Sequence, residues 1–204
     1  MTHRIPTAMR WVIALHPVGV KGITQALAPK GRHIIAHRNA MGNGATETRK
    51  NKGIMPQSLA SILVHLVFST KHRVPLITPA IETELYPYMA AVMRECKSPV
   101  LAINGVADHV HLLFALHRTV TIADVVEEVK KRSSKWMKTK GLEFESFAWQ
   151  GGYGAFSVGQ ANLEVVKNYI AHQKAHHAQN SFQDEFRGLL NEYEMDYDER
   201  YVWD

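Results

Sequence analysis

With 204 residues, 46% of them hydrophobic, and a single cysteine, the chain is long enough for one packed domain and falls outside the disulfide-stapled class. No apolar run reaches the roughly 18 to 20 residues that a membrane span requires, so a cytoplasmic protein with no membrane partner is expected. The net charge of +5 is uneven: residues 1–54 hold nine of the 24 Lys or Arg and one of the 19 acids, Glu47, leaving 15 basic against 18 acidic residues for the remainder. Bulk basicity is therefore no argument that the main domain binds nucleic acid.

Residues 1–54 are rich in Gly, Arg and His and show no amphipathic period. They read as a basic extension, as a transit-like segment lacking the usual serines, or as an upstream artefact ahead of a true start at Met55-Pro56. The organised domain, 55–204, opens at Ile62 to Phe68, apolar on both alternating faces and fit for a buried central strand. His65 shares a face with Leu63 and Val67, as a core or site-wall histidine. The cations of Lys71-His72-Arg73 follow, placed either for phosphate or simply for water.

Pro79 and Glu82 suit the first turn of a helix running to about Cys96, with Ile81, Leu85, Tyr88, Met89 and Val92 as its core stripe. Val100 to Ile103 begins the next strand. Asn104-Gly105 is a hairpin signal, but a strand continuing through Val106 and turning at Ala107-Asp108 is preferred, because it sets His109 and His111 at the start of the following strand. There Val110, Leu112, Phe114 and Leu116 form one face, and His109, His111, Leu113 and Ala115 the other. Two imidazoles about 7 Å apart on one rigid strand can converge on a metal ion.

Thr121 can cap a helix from Ile122 to about Thr139, with Ile122, Val125, Val126, Val129 and Trp136 inward and Gly141 beyond its end. Lys130-Lys131-Arg132 and Lys135 make a basic patch on it, which a solvated face explains as readily as DNA does. Trp149 to Val158 reads as a strand whose glycines allow close backbone approach. A helix from about Leu163 to His177 then carries Tyr169 and Gln173, four apart and so on one face. A last amphipathic helix covers Phe182 to Leu190.

Strand, helix, strand, strand, helix, strand is the order of a ferredoxin-like, RRM-like α+β fold with an antiparallel sheet. In it the histidine strand is central. A helix after the last strand can cross the open sheet face and carry Tyr169 and Gln173 towards His109 and His111.

Residues 55 to about 203 resemble the single-tyrosine HUH transposases of the IS200/IS605 type, including relatives acting on repetitive palindromic elements. The resemblance rests on three segments in order: Phe68 to Arg73, Asn104 to Leu113, and Tyr169 to His177. It implies the HUH endonuclease type of fold, His109 and His111 as metal ligands, Tyr169 as nucleophile and Gln173 as the third ligand. Two nitrogens and an amide oxygen leave room for phosphate and water, which suits Mg²⁺ or Mn²⁺. Tyrosine attack on DNA makes a 5′-phosphotyrosine and frees a 3′ hydroxyl, so the reaction is strand transfer. The resemblance further implies hairpin-bearing single-stranded DNA as substrate and a homodimer, with Tyr169 acting on its own or the partner's metal site. Lys71, Arg73, Lys130 and Arg132 are the candidate DNA-backbone contacts. The competing readings are a catalytically inactive or domesticated nucleic-acid-binding protein of the same fold, and a metal phosphodiesterase that leaves free hydrolysis products.

Overall fold

The strand pattern read from alternating apolar residues becomes, in a computed structural model describing residues 58–203, a four-stranded antiparallel sheet. The expectations for residues 1–54 lie outside the described residues. The order of elements is β1 (Leu63–Ser69), α1 (Pro79–Glu95), β2 (Val100–Val106), β3 (His109–Ala115), α2 (Ile122–Met137), β4 (Gly154–Val158), α3 (Leu163–Ala171), α4 (Gln173–His177) and α5 (Phe182–Glu192). In space the strands run β2-β3-β1-β4, so the expected α+β sheet is present with β3 and β1 central. Every residue of β1 is buried, as its two-faced apolar sequence demands.

One sheet face carries Val64, Leu66, Phe68, Val110, Leu112 and Phe114 against α1 and α2. Their partners on α1 are Ile81, Leu85, Met89 and Val92, the expected stripe, with Tyr88 half-buried and stacked on Trp136 at 5.2 Å. Thr78 caps α1 ahead of Pro79, its hydroxyl accepting from the Ile81 amide. Thr121 and Asp124 form a full capping box on α2. On α2 the inward residues include Ser133 and Met137, while Ile122 and Trp136 are only half-buried, so the apolar stripe is rotated slightly from the expected one.

The hairpin turns at Ala107-Asp108, with Val106 opposite His109 and Asn104 opposite His111. Gly105 is required there, because a Cβ would stand 2.2 Å from the His109 carbonyl oxygen. Two expectations need correction. The strand drawn over 149–158 is only Gly154–Val158, with Trp149 making an isolated bridge to Thr70. Its early carbonyls are drawn off the ladder: Lys130 Nζ donates to those of Gln150, Gly151 and Gly152 at 2.6, 3.3 and 2.9 Å. The helix drawn over 163–177 is two helices, broken at His172 (φ −101°, ψ 16°). No helix among the described residues is long and apolar enough to cross a membrane.

Candidate metal and tyrosine site

Alternation along β3 sends Val110, Leu112 and Phe114 into the apolar core and turns His109 and His111 to the other face, where both are fully buried. His109 Nδ1 donates to Asp108 Oδ1 at 2.7 Å, which leaves Nε2 pointing inward, 2.9 Å from His177 Nε2 and 3.6 Å from Glu185 Oε2. His111 Nδ1 lies 3.0 Å from His65 Nε2, and its Nε2 is 3.3 Å from the same Glu185 oxygen, without a well-aligned hydrogen bond. His177 Nδ1 donates to the Asn180 carbonyl at 2.9 Å, and its Nε2 donates to Glu185 Oε2 at 2.9 Å.

The break at His172 positions the second half of the site. Asn104, on edge strand β2, donates from Nδ2 to the carbonyls of Ile170 and Ala171 at 2.9 and 3.0 Å, satisfying oxygens that α3 leaves free at its end. Tyr169 therefore lies in the last turn of one helix and Gln173 begins the next. Both still meet on Glu185: the Tyr169 hydroxyl and, at 3.0 Å, the Gln173 Nε2 donate to Oε1. The Tyr169 ring stands edge-on to those of His111 and His65, at 5.9 and 6.0 Å between centroids. Tyrosine, amide and histidines of one chain are thus brought together.

Burial, reinforced by the Glu185 charge, pushes the Tyr169 hydroxyl well above the ordinary phenol range, so it stays protonated. Burial likewise drives His109 down to about 4 against the pull of Asp108, and His65 down to about 3, so both are neutral. Burial alone would raise the Glu185 carboxyl, but His111 and His177 hold it well below the usual carboxylate range. For His177 the desolvation is outweighed by its bond to Glu185, and its pKa rises.

A divalent cation fits these residues. His109, His111, His177 and Glu185 each offer a ligand atom, all within 4.8 Å of one another, and Gln173 Oε1, His111 Nε2 and His176 Nε2 are buried with no hydrogen-bond partner. Glu185 and His177 are the residues that the sequence reading missed as site members. The signal was present: Glu185 sits on the face that carries Phe182, Phe186, Leu189 and Leu190, and a carboxylate in an apolar stripe must find partners.

Of the four candidate DNA contacts, Lys71 is exposed and Arg73 is half-buried on the histidine side. Arg73 lines a cleft of about 580 Å³ with Asp108, His109, Lys174, His177 and Phe182. His72 and Arg73 both have φ of 54°, left-handed backbone that is costly for non-glycine residues. Lys130 and Arg132 lie on α2, across the sheet. Lys130 serves three carbonyls, with burial pushing its pKa down to about 8, and Arg132 Nη1 bonds Glu95 at 2.6 Å.

A family model described as transposase IS200 like matches residues 58–173. Among solved structures, a candidate transposase from Deinococcus radiodurans R1 is 20% identical, with a TM-score of 0.47, over 59% of this chain and 97% of that one. A REP-associated tyrosine transposase bound to a REP hairpin is 13% identical, with a TM-score of 0.47, over 62% of this chain and 74% of that one. No match was found among curated proteins.

Proposed function

The chain belongs to the IS200-like transposase family, and from that premise we propose that it cleaves and rejoins hairpin-bearing single-stranded DNA, with Tyr169 as nucleophile and a divalent ion held by His109, His111 and Gln173. One observation carries the reading. The Tyr169 hydroxyl and the Gln173 amide converge on one buried carboxylate whose other oxygen faces both histidines.

In the forward step Tyr169 Oη attacks the scissile phosphorus, the bond to the 3′ oxygen breaks, and a 5′-phosphotyrosine forms beside a free 3′ hydroxyl. The phenol proton leaves along its hydrogen bond to Glu185 Oε1 and on to water, and the departing 3′ oxygen takes up a proton from water. Attack by a 3′ hydroxyl on the phosphotyrosine then restores a phosphodiester, the hydroxyl proton passing to water while Tyr169 regains its proton from water by way of Glu185 Oε1. Bound Mg²⁺ or Mn²⁺ would polarise the phosphate and stabilise the charge that develops on it. His65 and Asp108 hold the two histidine rings in place from behind.

Tyr169 stands beside the histidines of its own chain, which favours attack within one subunit, here proposed to belong to a homodimer. Arg73, which lines the cleft, and the exposed Lys71 two residues before it are the first choice for backbone contacts. Lys130 and Arg132 take that role only if the strand passes the far side of the sheet. Residues 55–204 form the proposed catalytic domain.

Incubating the full chain with hairpin-bearing single-stranded DNA and Mn²⁺ tests the reading. An SDS-resistant protein–DNA adduct is expected, and Tyr169→Phe should reduce it at least 10³-fold, to background. Binding without an adduct under any divalent ion would instead establish a non-catalytic DNA-binding protein. Free hydrolysis products that survive Tyr169→Phe would establish a metal phosphodiesterase.

A further inference from the structure

The three imidazoles at the site share one construction, although only two lie on the histidine strand. His109 Nδ1 is held by Asp108 at 2.7 Å, His111 Nδ1 by His65 at 3.0 Å and His177 Nδ1 by the Asn180 carbonyl at 2.9 Å. Each ring turns its Nε2 towards Glu185 Oε2, at 3.6, 3.3 and 2.9 Å respectively. Outer partners on one ring nitrogen and a shared focus for the other are how proteins orient histidine ligands. Adjacent donors on one ion with bonds of about 2.1 Å stand roughly 3.0 to 3.4 Å apart, close to the spacings found.

We propose that Glu185 of α5 and His177 of α4 are metal ligands alongside His109 and His111, so that three imidazoles and a carboxylate hold the ion and the site takes a transition-metal dication in preference to Mg²⁺. The inference rests on the metal reading of the previous subsection and enlarges its ligand set.

Donor chemistry sets the preference. Mg²⁺ is a hard ion that favours oxygen and keeps its waters, whereas imidazole-rich sets suit Co²⁺, Ni²⁺ and Zn²⁺, with Mn²⁺ weakest among the transition ions. Glu185 is 1% exposed and faces the three Nε2 atoms with one oxygen, while its other oxygen receives Tyr169 and Gln173. Gln173 Oε1 remains free as a further donor. The family model ends at Gln173, so two of the four ligands come from chain beyond it. The nucleophile and the ion would then be tied through the two oxygens of a single carboxylate.

Titrating the metal-free full chain with Co²⁺ and Mg²⁺, by calorimetry and by the visible Co²⁺ spectrum, tests the proposal without DNA. Co²⁺ should bind at least 100-fold more tightly than Mg²⁺. Glu185→Gln and His177→Gln should each weaken Co²⁺ about 10- to 100-fold and alter the spectrum, while Arg187→Gln on the same helix leaves both unchanged. If either Gln variant fails to fold, X-ray absorption of the Zn²⁺-loaded wild-type protein decides: three imidazoles uphold the proposal and two overturn it. Wild-type Co²⁺ binding in both Gln variants, with loss in His109→Ala, would overturn this ligand set and leave the strand-transfer reading standing. Unchanged binding in His109→Ala and His111→Ala as well would overturn both.

Discussion

The two faces of the sheet are made from the same strands and have opposite contents. On one side Leu66, Phe68, Val110, Leu112 and Phe114 meet α1 and α2 in an apolar layer. On the other, residues one step along the same strands, His65, His109 and His111, meet Tyr169, Gln173, His177 and Glu185. Two small apolar clusters flank that polar group, one around Ile170 and Leu113 and one around Phe156 and Phe186. Stability can therefore be drawn from one face while the other holds buried polar groups that a folding optimum alone would replace with hydrocarbon.

The difference can be broken first from the apolar side. Leu112→Ala should cost about 2 to 5 kcal/mol in urea unfolding, because Leu112 is fully buried and its neighbours cannot close the cavity. Metal affinity of the folded fraction should stay at the wild-type value. A matching loss of affinity would show that the faces are not independent.

Acid tests the polar face. His65 and His109 titrate near 3 and 4 when folded, so below about pH 6.5 the unfolded chain takes up protons that the native chain refuses, and stability falls with pH. Glu185 acts in the same direction: its lowered pKa gives stability present above the ordinary carboxyl range and lost as pH falls through the folded value. His177 opposes them, because its raised pKa gives stability that is full below its unfolded pKa and lost as pH rises through the folded one. The net expectation, with chelator present, is a lower urea midpoint at pH 4.5 than at pH 7.5. A pH-independent midpoint would contradict the buried neutral histidines.

Replacing His65 separates orientation from burial. His65→Leu should weaken Co²⁺ binding about 10-fold, since the His111 ring loses its partner, and His65→Gln should recover part of that through its carbonyl. The metal-free protein should also become less sensitive to acid. Lys130→Met is expected to have the smallest effect, costing about 1 to 2 kcal/mol through its three lost carbonyl bonds. Unchanged stability together with a shallower salt dependence of DNA binding would instead make Lys130 a phosphate contact.

Period-two alternation was enough to read both faces of β3 from sequence, and setting His109 and His111 at the start of that strand located the turn at Ala107-Asp108. It could not show the break at His172, since no proline or glycine marks it and the side chain that satisfies the freed carbonyls, Asn104, is 66 and 67 residues away. The shortened β4 has the same kind of cause, because Lys130 reaches the carbonyls of 150–152 from another element. Helical spacing identified the surface of α2 without revealing what its cations meet. Glu185 escaped because an amphipathic pattern records which face is buried, and only contacts show why one carboxylate belongs there.

Asn104 and Gly105 are each demanded for a separate reason, the first by the carbonyls of Ile170 and Ala171, the second by the His109 carbonyl. Together they spell the dipeptide whose side-chain amide is lost most readily to spontaneous deamidation. Pairing of Gly105 with Val110 restrains the backbone attack that this loss requires. An aspartate formed at 104 would set a carboxylate against two carbonyl oxygens and loosen the end of the tyrosine helix. Chemical ageing at one sheet edge would thus disable the nucleophile while sparing the hydrocarbon layer, a decay that peptide mass spectrometry of heat-aged protein would show as a gain of about 1 Da at this position before any loss of fold.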